Sequence, residues 1–137
     1  MWWIYALLSA FFAALTAIFA KVGIKGVDTD LATAIRTVVI LIIAWGIAFF
    51  RGGVATFGTL TKQNFIFLIL SGIATGLSWV FYFKALQLGK VSQVAPVDKL
   101  SVAIAIILAM VFLGETLTIK TAIGAIMIIA GTIILIL

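Results

Sequence analysis

Apolar residues follow one another in five long runs, and the few charged residues stand between these runs or near their ends. The runs cover residues 2–20, 31–50, 65–88, 94–113 and 119–137. A helix of about 20 apolar residues crosses the ~30 Å hydrocarbon core of a bilayer, so each run is long enough for one crossing. None of them alternates apolar and polar residues as the strands of a membrane barrel do. The pattern therefore predicts an all-α membrane protein, a bundle of five transmembrane helices.

Residues that commonly start or end helices flank the runs. Thr29 and Asp30 precede the second run and are candidate N-caps, and Thr118 stands in the same place before the fifth. Gly89 follows the third run, where glycine commonly ends a helix. Pro96 falls in the first turn of the fourth run, where its missing N–H is not needed. We therefore expect five helices with short connections, which together form a single domain.

The composition excludes several classes of function. Of the 137 residues, 66% are hydrophobic and 9% are charged, whereas soluble domains carry about 25% charged residues. The chain has no cysteine and no histidine, which excludes disulfides, thiol catalysis, thiolate metal sites and a histidine proton switch. It contains no phosphate-binding glycine loop, no HExxH zinc motif and no hydrolase triad. We predict that the protein is not an enzyme and has no cofactor and no metal.

The charge balance bears on partners and on orientation in the membrane. The formal net charge is +5, but the basic residues stand singly and form no stripe with interleaved aromatic residues, so nucleic acid is not an expected partner. Their numbers on the two predicted membrane faces are similar, whereas the positive-inside rule needs an asymmetry. Weak asymmetry permits insertion in both orientations, and a unit that inserts both ways can pair antiparallel with itself, as in the inverted repeats of many transporters. We therefore expect an antiparallel homodimer.

Small residues indicate how the helices pack. Gly72 and Gly76 form a GxxxG pattern in the third run, and Gly124 and Gly131 lie seven residues apart in the fifth. Such spacing lets the backbones of two membrane helices approach closely. We predict that these four glycines lie at helix–helix contacts.

Four charged residues fall at a similar depth on the side opposite Met1. Arg36 lies about 8 Å along the second helix, Lys84 lies in the last turns of the third, and Asp98 and Lys99 lie in the first turns of the fourth. Charged groups at such depth are rarely without a role. One interpretation is a solvated, net-positive cavity for an anionic or zwitterionic solute, with Asp98 as counter-charge or proton carrier. The alternative is that the lysines reach the headgroups and that Arg36 pairs with Asp98 structurally.

Two further features extend the candidate site. Ser78, Trp79 and Tyr82 lie just inside Lys84 on the third helix, and such residues suit a solute pocket, although aromatic residues near a helix end also form interfacial belts. Glu115 stands at the other end of the fourth helix. Glu115 is a candidate gating or proton-coupling carboxylate, and so is Asp98. Alternatively, Glu115 complements the dipole of the fifth helix.

The stretch 82–137 carries the features of a known family. It contains AL at 85–86, the segment VAP at 94–96 after a small polar connection, and the turn LGETLT at 113–118, followed by the helix with the two spaced glycines. Together these features resemble the C-terminal part of an EamA domain, the repeat unit of the drug/metabolite transporter superfamily. Arg36 in the second helix agrees more loosely, at a place where the family often has a basic residue.

The resemblance implies a five-helix repeat and a transport function. Most family members look like ten-helix proteins made of two such domains in inverted orientation, which move metabolites such as amino acids. A chain with one domain is by implication an antiparallel dimer. The small multidrug-resistance relatives carry an essential glutamate in the first helix, where this chain has no acidic residue, so their proton/drug exchange mechanism is not carried over.

The main functional hypothesis is a secondary transporter or exporter of small polar metabolites or drugs. It is expected to work by alternating access as an inverted homodimer of residues 1–137 in a prokaryotic inner or plasma membrane, with a small solute and membrane lipid as its partners. Two alternatives stay open. One is a translocase, or translocase subunit, for a lipid-linked sugar carried on polyprenyl phosphate. The other is a membrane structural protein that does not transport.

Overall fold

The computed structural model describes residues 1–137, and every regular element in it is helical. The elements in chain order are α1 (Trp2–Gly23), α2 (Thr29–Phe50), a 3₁₀ segment (Gly53–Thr59), α3 (Lys62–Leu88), α4 (Val91–Asp98), α5 (Leu100–Leu113) and α6 (Ile119–Ile136). Five stretches are long and apolar enough to cross a membrane: α1, α2, α3, α4 with α5, and α6. The prediction of an all-α membrane protein with five spans is confirmed.

The N-cap predicted for α6 agrees with the structure, whereas the N-cap of α2 lies one residue before the predicted candidates. Thr118 caps α6 as predicted, because its hydroxyl accepts the backbone N–H of Thr121 at 3.2 Å. The cap of α2 is Asp28, one residue before the candidates Thr29 and Asp30. Its backbone is extended, and its carboxylate therefore accepts the backbone N–H groups two and three residues further on, both at 3.0 Å.

The fourth span is interrupted, in contrast to the single helix that the sequence predicts. Its helix begins at Val91 rather than at 94, so Pro96 lies in the helix interior and not in the first turn. Proline has no N–H for the carbonyl of Ser92 four residues back, which weakens the helix at this point. α4 ends soon after, and the N–H of Lys99 bonds to the carbonyl of Pro96 at 3.0 Å, a three-residue spacing tighter than that of an α-helix. The next helix, α5, begins at the following residue.

Residues 1–19 and 88–137 form one of two compact units in the chain. Within it, α4, α5 and α6 pack against one another. Thr132 of α6 is 3% exposed, and its hydroxyl donates to the carbonyl of Pro96 in α4 at 3.1 Å. A polar side chain in the middle of an apolar span is thus satisfied by a carbonyl beside the helix interruption.

Residues 20–87 form the second unit, and its buried residues are concentrated where α1 ends, α2 begins and α3 ends. Phe83 and Leu86 of α3 are 1% and 0% exposed. Two hydrogen bonds cross between the chain segments here. The Lys21 ammonium donates to the carbonyl of Leu86, and the Gln87 amide donates to the carbonyl of Val27 at 3.1 Å. These long-range bonds fix the end of α3 against the α1–α2 connection.

Most of the large apolar side chains elsewhere are exposed in the single chain, as expected for surfaces that meet lipid or another membrane helix. The predicted packing glycines lie on such surfaces. A Cβ added to Gly72, Gly76, Gly124 or Gly131 would meet no atom within 4 Å. Each glycine thus has open space beside its Cα within its own unit, and its role at a helix–helix contact stays a prediction.

Candidate solute-binding site

Arg36 of α2 lies against two aromatic rings of α3. Its guanidinium carbon Cζ is 4.4 Å from the ring centroid of Phe83 and 5.0 Å from that of Trp79. Both distances are within the roughly 6 Å over which a cation is attracted to an aromatic face. Trp79 and Phe83 are four residues apart, which places them one above the other on the same face of α3. Two helices thus combine to hold one arginine.

One guanidinium nitrogen of Arg36, Nη1, is buried and has no hydrogen-bond partner. Arginine has five N–H donors and no acceptor, so this group requires a carbonyl, carboxylate, phosphate or water oxygen. Leaving a buried donor unsatisfied costs about 1–3 kcal/mol, and more for a charged group. The aromatic faces offset part of this cost but accept no conventional hydrogen bond. The arrangement is therefore suited to bind a ligand oxygen.

The surroundings make the aromatic face rigid. Phe83 is almost fully buried, and its ring contacts that of Tyr82 edge to face with 5.8 Å between centroids. Thr33 lies on α2 one turn before Arg36 and is buried. Its hydroxyl donates a hydrogen bond to the backbone carbonyl of Thr29 at 2.8 Å. The threonine hydroxyls near Arg36 on α2 thus have hydrogen-bond partners within the helix. The guanidinium is the group here with an unpaired hydrogen-bond donor.

The other predicted residues of α3 lie outside this contact. Ser78 and Lys84 are exposed, and the Lys84 ammonium approaches the Gln87 side-chain oxygen at 3.5 Å. A lysine at this position agrees with the interpretation that it extends toward the membrane surface. The roles of Ser78 and Lys84 in solute binding stay predictions.

Asp98 and Lys99 lie at the interruption between α4 and α5 and pair with each other. The Asp98 carboxylate is 3.1 Å from the Lys99 ammonium, and both side chains are at least one third exposed. The role of Asp98 as counter-charge or proton carrier, and the alternative of a structural pair with Arg36, both stay predictions. An exposed pair contributes at most about 1 kcal/mol of stability, so the two charges remain available for other partners.

Glu115 lies in the turn between α5 and α6, as the sequence indicates, and it is exposed. It forms no ion pair with Lys120, the nearest basic residue in the sequence. The side chain instead lines a pocket between the two helices.

Comparison with known proteins assigns the chain to a family. The sequence model of the EamA-like transporter family matches residues 1–137. The chain belongs to this family. An uncharacterized transporter in the cobO 3′ region of a Sinorhizobium species is 47% identical over 134 residues, or 98% of this chain and 95% of that protein. The uncharacterized transporter YxxF of Bacillus subtilis is 31% identical over 129 residues, or 93% of this chain and 40% of that protein.

An uncharacterized protein of Methanocaldococcus jannaschii is 35% identical over 77 residues, which is 56% of each chain. No solved structure matches the chain. The EamA resemblance predicted from the sequence is confirmed, and the chain is an integral membrane protein with a transport role.

The structure brings together a subset of the predicted site residues and adds Phe83 to them. Arg36 and Trp79 meet, and Tyr82 joins them through Phe83. Sequence reasoning missed Phe83, although its position four residues after Trp79 marks it as part of the same helix face. It also missed Thr132, the only hydroxyl side chain in the second half of α6.

Proposed function

We propose that the protein is a secondary transporter for small polar solutes that carry a carboxylate or phosphate group. The observation that carries the proposal is the Arg36 guanidinium, held against Trp79 and Phe83 with a buried donor unpaired. A planar guanidinium binds a carboxylate or phosphate through two parallel hydrogen bonds, which a lysine ammonium does not reproduce. The two rings lie beside the guanidinium, and its unpaired nitrogen remains to bind the solute.

The depth of Arg36 in the membrane supports a role in binding rather than in anchoring. It lies two turns inside α2, where a charged side chain costs several kcal/mol unless it is compensated. An anionic group from the solute compensates that charge and satisfies the unpaired nitrogen at the same time. Solutes such as amino acids and organic anions have the required chemistry.

We further propose that two copies pair in antiparallel orientation in a prokaryotic inner membrane. The exposed apolar helix faces, the accessible Gly72 and Gly76 and the weak charge asymmetry all support a second copy as the partner. In such a dimer the two Arg36 sites face opposite sides of the membrane, so a rocking motion exposes them in turn. Asp98 at the helix interruption and Glu115 are the carboxylates proposed to couple this motion to an ion gradient.

Counterflow into liposomes tests the binding role. Purified protein is reconstituted with radiolabelled amino acids and organic anions, and Arg36→Met is compared with the unaltered protein. We expect Arg36→Met to lower counterflow of the transported solute at least tenfold, because a charged hydrogen bond contributes about 1.5–3 kcal/mol. Arg36→Lys keeps the charge without the planar fork and is expected to retain partial activity.

Lys25→Met is the matched control, since Lys25 is exposed in the α1–α2 connection and lies outside the site. It is expected to leave counterflow unchanged. Equal counterflow by Arg36→Met and the unaltered protein would contradict the proposal. Co-purification of a polyprenyl phosphate that Arg36→Met fails to retain would instead identify a lipid translocase.

Cysteine labelling tests the dimer independently. The chain has no native cysteine, so Leu137→Cys introduces a single thiol at an exposed terminus. In cells, an antiparallel homodimer exposes this thiol on both faces of the membrane, and an impermeant reagent labels half of it from each side. Labelling from one side alone would exclude the antiparallel arrangement while leaving the Arg36 site untouched.

A further inference from the structure

A pocket of about 350 Å³ lies where α5 meets α6. Its wall on α5 is apolar and includes Ala105, Ala109 and Met110. Its polar side is formed by the connecting turn and the first turn of α6, with Glu115 and Thr121 among the lining residues. The pocket is open on one side, and its apolar wall with few polar groups is a surface that a small molecule can contact.

The turn sets the position of Glu115. Gly114 has a φ of 67°, a left-handed conformation that glycine adopts without strain, and it ends α5. The backbone N–H of Glu115 then donates to the carbonyl of Ala109 at 3.3 Å, which holds the residue against the end of α5. Its carboxylate has neither a hydrogen-bond partner nor an ion-pair partner in the structure. The Thr121 hydroxyl, by contrast, is 2.8 Å from that of Thr118.

The chemistry of the lining narrows the class of ligand. No basic side chain lines the pocket, so a carboxylate at its edge disfavours an anion. Calcium takes six to eight oxygen ligands, and nowhere does the chain group three or more potential ligating side chains. A single carboxylate next to an apolar wall instead matches an organic cation, whose charged end and hydrocarbon part meet complementary surfaces.

We propose that this pocket binds a small alkylammonium ion, with its ammonium group at Glu115 and its hydrocarbon chain along Ala105, Ala109 and Met110. The site shares no residue with the arginine site, and an ammonium ion can bind at Glu115 whether or not this carboxylate also takes part in coupling. It provides the protein with a binding site of opposite charge preference.

Isothermal titration calorimetry with hexylammonium chloride tests the proposal on the full chain in a non-ionic maltoside detergent. We expect saturable binding, which Glu115→Gln weakens at least tenfold, a loss equal to about 1.4 kcal/mol of binding free energy. Butylammonium is expected to bind roughly tenfold more weakly than hexylammonium, because two fewer methylene groups are buried. Hexanoate is expected not to bind.

Two variants distinguish binding in the pocket from non-specific attraction of the cation to negative charges on the protein. Asp30→Asn removes one negative charge from an exposed position in the first turn of α2 and is expected to leave binding unchanged. Ala105→Leu fills the apolar wall without removing any charge and is expected to block binding. Equal affinity of Glu115→Gln and the unaltered protein, or an equal loss in Asp30→Asn, would overturn the proposal.

A competition experiment distinguishes two possible ligands of the pocket, a free amine and the amine of a lipid headgroup. Short-chain phosphatidylethanolamine and phosphatidylglycerol are added to the same titration. A free-amine site retains hexylammonium affinity in both lipids. Selective displacement by phosphatidylethanolamine would overturn the assignment, because the pocket would then be a lipid-headgroup site.

Discussion

The two compact units of the chain differ in whether the polar side chains described above have hydrogen-bond or ion-pair partners. In residues 20–87, Arg36 is held against aromatic rings while one of its nitrogens stays unpaired. In the unit that contains α4–α6, the Thr132 hydroxyl satisfies the carbonyl of Pro96, and Asp98 pairs with Lys99. In the unit of α4–α6 the buried Thr132 hydroxyl has a partner, and the unpaired Glu115 carboxylate is exposed. In residues 20–87, by contrast, a buried charged donor stays unpaired. The unpaired donor is the better guide to a binding site, because a satisfied group has less to gain from a ligand.

The contrast is also one of rigidity. The aromatic support of Arg36 includes a fully buried ring, whereas the side-chain polar contacts at the α4–α5 interruption are one hydrogen bond and an exposed ion pair. A site that binds a ligand needs supporting side chains with fixed positions. A helix interrupted at a proline bends more readily than a continuous one.

Removal of the buried ring should produce the largest effect. We expect Phe83→Ala to lower the free energy of unfolding by about 3 kcal/mol, because it opens a cavity at a position that is 1% exposed. Phe81→Ala is the control, since Phe81 is two residues away and 71% exposed. It should change stability by less than about 0.5 kcal/mol. Unfolding in mixed detergents measures both values, and equal losses would contradict the distinction between a buried support and a lipid-facing ring.

Loss of the bond at the interruption should have a smaller effect. Thr132→Val keeps the side-chain shape but leaves the Pro96 carbonyl without its hydroxyl donor. We expect a loss of about 0.6–1 kcal/mol, the usual range for one hydrogen bond between membrane helices. Thr132→Ser retains the donor and should lose less. The same unfolding measurement distinguishes them, and a Thr132→Val protein as stable as the original would show that the bond does not hold α6 to α4.

The ion pair should matter least for stability. We expect Asp98→Asn to change the free energy of unfolding by no more than about 0.5 kcal/mol, because the pair is solvent-exposed and screened. The difference should shrink further when the salt concentration is raised from 0.1 to 1 M. A loss above about 2 kcal/mol would mean that Asp98 has a buried partner. A stable Asp98→Asn protein without counterflow would favour its proposed role in coupling.

The architecture was predictable because it follows from a bulk property of the chain. Five apolar runs of bilayer length leave few alternatives to five spans, and the turn at 113–118 and the glycine-spaced final helix identified the family. Part of the candidate site was predictable for a related reason. A charge at the depth of Arg36 stands out against an apolar background, and so do Trp79 and Tyr82 nearby.

Residues that the sequence does not single out resemble the apolar residues around them. Phe83 has the composition of a lipid-facing residue, and only its partner on another helix reveals its role. The sequence does not reveal the interruption of the fourth span, because Val91 to Gln93 have the small and polar character of a connection. A helix that begins at 94 has Pro96 in its first turn, where proline is tolerated, whereas the helix begins at Val91. A three-residue error in a helix start therefore concealed the only break in a span.

The lengths of α2 and α3 have a consequence for the membrane itself. α2 has 22 residues and is about 33 Å long, close to the hydrocarbon thickness, whereas the 27 residues of α3 extend about 40 Å. The longer helix matches the bilayer only by inclining or by projecting its polar first turn into the headgroups. Lipid chain length thereby acts on the angle of the helix that presents Trp79 and Phe83 to Arg36. We expect the affinity for the proposed solute to vary with bilayer thickness for this reason.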